Sequence, residues 1–319
     1  MEWIMPLTAS ISVVIPTRNR PDSLRQCLDS LAAVAYLRWD GVVIDQGDDE
    51  RAEHVVRQYS DSLPQITYRH MVKKGQALAC NEGIQATQGD IVAFLHDDCT
   101  VQPDWLEQIA NAFGRHPEAA LVFGTAVSAP HDPDEFFIPV YPVKTEHVIR
   151  GRRAFVRPDG MGATMYICRA ALQRVGLLDP YLGVGSQFSF GGEDNDYIYR
   201  CLLAGLSVVR TPAIVVEHYG TRSHKNGDVA RLLRGYAYSA GILDMKVLRG
   251  GHGIALLLMA SHCAYFLLEM VRHGPSNIDR LGMYARGLIG SFQLGVDRRH
   301  GLYAKRRVKT QVTVPITIS

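Results

Sequence analysis

Two adjacent carboxylates, Asp97 and Asp98, follow an apolar run from Ile91 to Leu95 that predicts a buried β-strand. We expect Pro103 to occupy the first position of the helix that comes next. Ligands of open α/β sheets bind at such carboxyl ends of strands. A divalent cation would relieve the repulsion between two carboxylates, and magnesium and manganese prefer oxygen ligands and substrate phosphates. The pair therefore indicates a metal site, with a solvated acidic turn as the simpler alternative.

A second group of acidic residues opens a predicted helix in the segment FSFGGEDNDYIYRCLLAGL. Gly191 and Gly192 allow the backbone to turn tightly before this helix. Glu193, Asp194 and Asp196 lie in its first turn, where the helix dipole favours negative charge. A carboxylate that faces a hydroxyl here could remove its proton as the oxygen attacks. The alternative is an acidic turn that only stabilises the helix.

The spacing of apolar residues predicts an α/β fold that positions these groups. Ile11 to Ile15 form a β-branched run, typical of a buried parallel strand, that ends at Pro16. Apolar residues recur at helical spacing after Asp22, and a second strand is predicted near Val42 to Ile44. A third strand around Ile66 to His70 and a helix in GQALACNEGIQATQG lead into the strand before the acidic pair. Strands thus alternate with helices.

Several classes of protein are excluded or disfavoured. The chain has no G-x-G-x-x-G after its first strand and no G-x-x-x-x-G-K-[ST], so any phosphate must be held by a metal and side chains. A net charge of +2 over 319 residues argues against a nucleic acid partner. The six cysteines are spread singly and no signal segment opens the chain, which predicts a cytoplasmic protein with reduced thiols.

After the acidic pair, Met161 to Ile167 indicates a strand and Arg169 to Val175 a short helix. The last part of the chain is predicted to be helical, with longer helices at 229–248, 253–271 and 278–294. We place the boundary between a catalytic domain, residues 1–225, and this C-terminal helical region, residues 226–319, just before the first of the longer helices.

The apolar helix at 253–271 and a basic tail indicate a contact outside the catalytic domain. His262 and Glu269 interrupt the apolar run, which predicts a buried or membrane-surface helix rather than a membrane span. The basic residues suit a peripheral contact with the inner face of a membrane or a homodimer interface, with a solvated tail as the alternative. They are Arg298, Arg299, Lys305, Arg306, Arg307 and Lys309.

Five segments together resemble family 2 glycosyltransferases of the GT-A fold, which have a mixed, Rossmann-like sheet flanked by helices. They are SVVIPTRNRPDSL, VVIDQGDDE, KGQALACNEGI, IVAFLHDDCTVQPDWL and FGGEDNDYIYRCLLAGL. They occur in the order seen in that family, and the resemblance covers residues 10–220, about two thirds of the chain.

The resemblance implies a role for each of several residues on the donor side. Pro16, Thr17, Asp45 and Lys74 would contact the nucleotide, and Asp97 would contact its ribose or support the metal. By their residue types alone, Asp45 could instead cap a turn and Lys74 could be a solvated lysine.

The same resemblance assigns the metal and the base. Asp98 would hold a manganese or magnesium ion, although His96 stands where many relatives carry Asp. His218 would be a second ligand, which by residue type alone is more often a packing histidine. Asp194 would be the base and Glu193 an acceptor or orienting group, with the two roles interchangeable. Arg222 and Lys225, and less strongly His224, could neutralise phosphate.

The expected activity is metal-dependent transfer of a sugar from a nucleoside diphosphate sugar, with UDP or dTDP, to a hydroxyl acceptor. The acceptor would be a polysaccharide, a glycolipid or a small molecule, and a lipid-linked one would suit a membrane contact. One base, one metal and no enzymic nucleophile predict a single displacement with inversion. The alternatives are a nucleotidyltransferase, although PTRNRPDS lacks the glycine-rich, basic signature of that class, and a non-catalytic binding module.

Overall fold

The computed structural model describes residues 9–151, 160–273 and 278–304. Strands form where short apolar or β-branched runs are bounded by turn residues. They are β1 (Ile11–Thr17), β2 (Trp39–Asp45), β3 (Ile66–His70), β4 (Ile91–Phe94), β5 (Cys99–Val101), β6 (Ala119–Ser128), β7 (Phe136–Phe137), β8 (His147–Ile149), β9 (Met165–Cys168), β10 (Ser207–His218), β11 (Arg222–Ser223), β12 (Gly295–Asp297) and β13 (Leu302–Ala304).

Helices form where apolar residues recur on one face. They are α1 (Pro21–Ala32), α2 (Arg51–Gln58), α3 (Gln76–Ala86), α4 (Trp105–Arg115), α5 (Leu172–Val175), α6 (Glu193–Leu203), α7 (Asp228–Arg249), α8 (Ala255–His273) and α9 (Ile278–Gly290). In α1, for example, Leu24, Leu28 and Leu31 are buried, as their spacing predicts. The predicted α/β class with a helical C-terminal extension is confirmed.

One mixed sheet dominates the described part of the chain. Its strand order is β3-β2-β1-β4-β9-β6-β10-β5, and β8 pairs with β10 beside this path. Strands β3, β2, β1 and β4 are parallel neighbours, as the first alternating units require, whereas β9 runs antiparallel between β4 and β6. The register places Thr17 opposite Asp45 and Val14 opposite Phe94, so the carboxyl ends of β1, β2 and β4 share one edge.

Two predicted boundaries were wrong. The helix after the acidic pair begins at Trp105 rather than at Pro103, because β5 comes first and the amide of Trp105 then closes a turn on the carbonyl of Gln102. The strand predicted from Met161 begins at Met165, because residues Gly162–Thr164 form a 3-10 turn. Because of this turn, the backbone N–H of Gly162 faces α6.

The C-terminal helices pack against one another and against the sheet domain. Lys246 of α7 is buried and reaches Asp196 of α6 at 2.5 Å and Asp179 at 2.6 Å. The amide of Tyr303 in β13 donates to the same Asp179 at 2.7 Å. A boundary at residue 225 stays a prediction. Of the basic tail, Arg298 and Arg299 lie in the exposed turn between β12 and β13, and residues 305–319 lie outside the described part.

Candidate active site

Asp98 and His218 come together because of the pairing between β5 and β10. These strands are antiparallel, and His218 lies opposite Cys99. The amide of Tyr219 also donates to the carbonyl of Asp98 at 2.8 Å. As a result, Nε2 of His218 lies 3.4 Å from Oδ1 of Asp98. Two residues that are far apart in the sequence thus form one pair of oxygen and nitrogen donors.

The arrangement of this pair fits a hard divalent cation. Nδ1 of His218 lies 3.0 Å from the carbonyl oxygen of Pro139, and if it carries the proton it donates there and leaves Nε2 free to bind. Ligand atoms of Asp98, Cys99 and His218 lie within 4.8 Å of one another. The Cys99 thiol is buried and burial raises its pKa well above the usual value, so it stays protonated. Asp98 and His218 are therefore the ligands that magnesium or manganese would use.

Gly220 leaves room beside these two ligands. A methyl group at this position would lie 2.5 Å from Oδ2 of Asp98 and 2.9 Å from Nε2 of His218. Such distances are shorter than real contacts, so any larger residue would displace both ligands. Because Gly220 has no side chain, space remains beside Asp98 and His218 for a cation and its other ligands.

Charge also marks Asp98 as the ligand. Burial alone would raise its pKa, but hydrogen bonding to His218 and the nearby charges of His218, His96 and Arg20 hold the pKa well below its usual range. Its neighbour Asp97 behaves differently, because burial and the charge of Asp98 raise the pKa of Asp97 to about 6. Oδ2 of Asp97 accepts a hydrogen bond from the Thr17 hydroxyl at 2.8 Å. The two predicted residues, Thr17 and Asp97, are thus joined directly.

Asp194 is connected to the acidic pair through Gly162 and His96. The amide of Gly162 donates to Oδ2 of Asp194 at 3.1 Å, and a methyl group at Gly162 would meet the His96 ring at 3.5 Å. Nε2 of His96 is 2.7 Å from the side-chain nitrogen of Gln76, and burial lowers the pKa of His96 to about 4. His96, next to the acidic pair, and Asp194 therefore flank one glycine.

Burial shapes the protonation of Glu193 and Asp194. It raises the pKa of both carboxyl groups, and the charge of Asp194 raises that of Glu193 further. Asp194 is stabilised by the N–H groups of Gly162 and Asn195, whereas Oε2 of Glu193 is buried with no hydrogen-bond partner among the described residues. A raised pKa suits a base that must accept a proton near neutral pH. A methyl group at Gly191, two residues before Glu193, would lie 3.9 Å from Cε1 of Tyr236 in α7. Burial and then the charge of Asp194 raise the pKa of Tyr236.

The predicted nucleotide-contacting residues have distinct surroundings. Asp45 is fully buried and accepts hydrogen bonds from the Gly47 amide at 2.7 Å and the Tyr68 hydroxyl at 2.9 Å, so it caps the turn after β2. Lys74 donates to the Gln46 carbonyl and to Asp48 at 2.8 Å, which joins two loops. Pro16 is half-buried next to Thr17 in β1. A contact between these residues and a nucleotide stays a prediction.

Two of the three basic residues after His218 contact Glu135. Lys225 forms an exposed ion pair with Glu135, and the amide of His224 donates to the carbonyl of the same residue. Arg222 lies in β11 opposite Phe137, and its charge lowers the pKa of Tyr236. Strand β11 packs against α7, the helix that carries Tyr236.

Four residues of the site were missed by the sequence reasoning. Arg20 reaches both carboxylates of the acidic pair, although it lies within a segment that carried the resemblance. Gly220, two residues after His218, could have been noticed as a glycine next to a predicted ligand. Gly162 and Tyr236 carry no local signal, because their relevance comes only from contacts with α6.

Comparisons with known proteins agree with this geometry. Residues 12–178, slightly more than half of the chain, match the model of "Glycosyl transferase family 2". A pre-mycofactocin glycosyltransferase of Mycobacterium tuberculosis is 29% identical over 223 residues, which cover 67% of this chain and 43% of that protein. A glucosyl-dolichyl phosphate glucuronosyltransferase of Haloferax volcanii is 28% identical over 119 residues, which cover 37% of this chain and 38% of that protein. These matches span less than half of each relative.

Solved structures show the same fold. A mannosyltransferase of Pyrobaculum calidifontis, in complex with GDP-Man and Mn²⁺, has a TM-score of 0.59 at 15% identity and covers 92% of this chain and 90% of its own. S. aureus TarS 1-349 in complex with UDP-GlcNAc has a TM-score of 0.59 at 14% identity and covers 89% of this chain and 81% of its own. At such identity the likeness establishes the GT-A architecture alone. With the match over residues 12–178, it follows that the chain belongs to glycosyl transferase family 2.

Proposed function

We propose that this enzyme transfers a sugar from a nucleoside diphosphate sugar to a hydroxyl acceptor, with inversion at the anomeric carbon and with a bound divalent cation. One observation carries the proposal: Asp98 pairs with His218, and Asp194 is connected to this pair through Gly162 and through His96, which lies two residues before Asp98. A glycosyl transfer needs these two functions at opposite ends of the bond that is exchanged.

On the donor side, Asp98 and His218 would hold manganese or magnesium. When bound, the cation supplies positive charge that stabilises the departing diphosphate. Two protein ligands leave the remaining positions to phosphate oxygens and water, which is typical of such sites. Thr17 and Asp97, joined by their hydrogen bond, are close enough to Asp98 to contact the ribose or base, and Lys74 orders the loop beside them.

On the acceptor side, Asp194 would act as the base. Its Oδ2 is oriented by the Gly162 amide, and its raised pKa allows it to take the hydroxyl proton as that oxygen attacks. Glu193 lies behind it, with Oε2 lacking a partner among the described residues, and would bind an acceptor hydroxyl or orient Asp194. Of the described carboxylates on the donor side, Asp98 would hold the cation and Asp97 accepts a hydrogen bond from Thr17, so neither is assigned as a nucleophile, which favours a single displacement.

The acceptor would approach from the side of Phe190, which precedes the base segment. A cavity of about 470 Å³ opens there and is lined by residues that combine apolar surface with positive charge. They include Phe190, Ala230, Arg231, Arg234 and Met283. Arg234 already pairs with Asp279 at 3.1 Å, so the cavity is not strongly cationic. Phe190 lies four residues before Asp194 in the chain, and an apolar surface there would suit a hydroxyl acceptor with an apolar portion, such as a glycolipid or lipid-linked sugar.

We expect the donor to carry UDP or dTDP. We also expect the enzyme to act in the cytoplasm. The cysteines of the described residues are free thiols, five of them buried, which fits a reducing environment. The solved relatives hold GDP-Man and UDP-GlcNAc, so the fold accepts more than one base. The donor therefore has to be measured.

The test is nucleoside diphosphate release from a panel of UDP, dTDP and GDP sugars with and without Mn²⁺, followed by mass spectrometry. Asp98→Asn should abolish the metal-dependent release, and Asp194→Asn should lower it by about 10²- to 10⁴-fold while donor and Mn²⁺ still bind. Asp61→Asn, at an exposed position, is the matched control. Full turnover by Asp194→Asn would overturn the role of the base. Formation of a nucleotide sugar from a sugar phosphate and a nucleoside triphosphate would favour the nucleotidyltransferase alternative.

A further inference from the structure

Helix α8 exposes an apolar face to solvent. Among the described side chains of α8, seven of the nine exposed ones are aliphatic and recur at the spacing of one helical face, and the other two are Tyr265 and Arg272. The seven are Leu256, Leu257, Ala260, Ala264, Leu267, Leu268 and Val271. Val271 is 79% exposed and Leu257 60% exposed, so these side chains are not partly covered core residues. A surface helix of a globular protein normally presents polar residues on this side. We refer to these seven residues as the α8 stripe.

The opposite face of α8 is firmly attached to the protein. Leu258 and Phe266 are buried, and the Phe266 ring packs against Tyr284 of α9 with ring centroids 5.5 Å apart. His262 lies 2.8 Å from the buried carboxylate of Asp244 in α7, which also accepts a hydrogen bond from the Tyr284 hydroxyl at 2.6 Å. Because these contacts would break if α8 left the bundle, they hold the α8 stripe in place facing outward.

The composition of α8 fits insertion into a membrane surface. Residues 255–272 have a mean hydropathy of 1.4, and this segment is long and apolar enough, by length and composition alone, to span a bilayer. Only 17% of the segment is buried inside the protein. A helix anchored along one side by His262 and Phe266 would lie in the interface plane instead of spanning. The neighbouring α9 adds exposed Ile278 and Ile289, at 60% and 72% exposure.

The charge of residues 255–319 indicates which partner would cover the α8 stripe. Residues 255–319 contain nine Lys and Arg against three Asp and Glu, whereas the whole chain has a net charge of only +2. The three acids are paired: Glu269 with Arg280, Asp279 with Arg234 and Asp297 with His300. Within the described residues, Arg272 is exposed directly after Val271 of the α8 stripe, and positive charge beside exposed apolar side chains is the combination that anionic lipid attracts. A symmetric dimer through the α8 stripe would instead bring two basic regions together, which their repulsion opposes.

We propose that the α8 stripe is a docking surface for an anionic lipid bilayer, in which α8 lies parallel to the membrane plane with its seven apolar residues in the headgroup region. The surface is independent of catalysis, since it uses none of the residues assigned to the donor or the base. Through α7, which carries both Asp244 and Tyr236, it would hold the acceptor side of the site at the membrane.

The test is cosedimentation of the full chain with vesicles of phosphatidylcholine, or of phosphatidylcholine with about one third phosphatidylglycerol. The variant Leu257→Gln/Leu268→Gln alters two exposed side chains of the stripe and leaves its buried face intact. The matched control is Leu37→Gln/Val72→Gln, which alters side chains that are 94% and 79% exposed in the sheet domain. Circular dichroism of both variants verifies that α8 and the rest of the fold are retained.

We expect binding to the anionic vesicles that the stripe variant weakens by about tenfold or more and that the control retains. Binding to pure phosphatidylcholine should be weaker, and added salt should weaken binding to the anionic vesicles. Absence of binding by the unmodified chain overturns the proposal. So does equal binding by the stripe variant, which would mean that the basic tail binds alone. A dimer in light scattering that the stripe variant dissociates would identify the surface as a contact between two copies, and would also overturn it.

Discussion

Nη1 of Arg20 lies 2.8 Å from Oδ2 of Asp98, the carboxylate that we assign to the divalent cation. The same nitrogen lies 3.1 Å from Oδ1 of Asp97, so a single guanidinium balances two adjacent acids. The Arg20 side chain is 46% exposed, and the two carboxylates are almost fully buried. A cation and this guanidinium would compete for one carboxylate, which leads to the first prediction.

Replacing Arg20 with Gln should strengthen binding of Mn²⁺ in the absence of nucleotide. The substitution removes a positive charge that competes with the metal, and because Arg20 is partly exposed the effect should be modest, about two- to fivefold in Kd. Isothermal titration calorimetry with Mn²⁺ alone measures it. Arg51→Gln, which removes an exposed pair with Asp49, is the control and should leave the Kd unchanged. Weaker binding by Arg20→Gln would mean that Arg20 organises the site instead of competing for it.

Replacing Gly220 with Ala should impair the metal site. The added methyl group would lie 2.5 Å from Asp98 Oδ2 and 2.9 Å from His218 Nε2, so the two ligands would have to separate. We expect Mn²⁺ affinity to fall by about tenfold or more, which titration calorimetry would detect. The control is Gly114→Ala in α4, where a methyl group meets nothing within 4 Å. It should stabilise the helix by about 0.5–1 kcal/mol and leave Mn²⁺ binding intact. Unchanged affinity in Gly220→Ala would remove this glycine from the site.

The pair of Glu193 and Asp194 should make stability depend on pH. Burial raises the pKa of both groups in the folded protein, so folding favours their protonated forms. Their contribution to stability is therefore present below the pKa of an unfolded carboxyl, about 4.3, and is lost as the pH rises through the raised values.

Glu193→Gln should reduce this dependence, since a neutral amide carries no charge to bury. Urea unfolding at about pH 5 and about pH 8 measures it: relative to the parent, the variant should gain stability at the higher pH. Glu107→Gln, at an exposed position in α4, should keep the slope of the parent. An equal loss of stability at both pH values in Glu193→Gln would show that the side chain is needed for packing, whatever its charge.

Removal of Lys246 should destabilise the protein strongly. Its ammonium group lies 2.6 Å from Asp179 and 2.5 Å from Asp196, and all three side chains are at most 2% exposed. Lys246→Met would leave the negative charges of Asp179 and Asp196 buried without the positive charge of the ammonium group, which should lower the free energy of unfolding by about 3–5 kcal/mol. Urea unfolding gives this value. Lys225→Met, which breaks an exposed ion pair with Glu135, should cost less than about 1 kcal/mol. Similar values for the two variants would contradict the importance of the buried network.

The sequence by itself determined the order of the first four strands, of the helices between them and of the C-terminal helices. Apolar periodicity and turn residues act over short distances, so β1, β3 and α1 could be predicted from their own segments. The acidic pair and the first turn of α6 were recognisable for the same reason, since each is a local cluster of charged residues.

Tertiary structure decided which of these residues meet. Arg20 contacts Asp98 across 78 positions of sequence, and His218 reaches Asp98 only because β10 pairs with β5 in one register. The 3-10 turn that presents the Gly162 amide to Asp194 replaces the first residues of a predicted strand, because the chain has to bend before it joins the sheet as β9. For α8 the sequence predicted an apolar helix, but its packing against α7 and α9 determines which face of the helix is exposed to solvent. Contacts of this kind depend on the positions of several elements at once, which no single segment encodes.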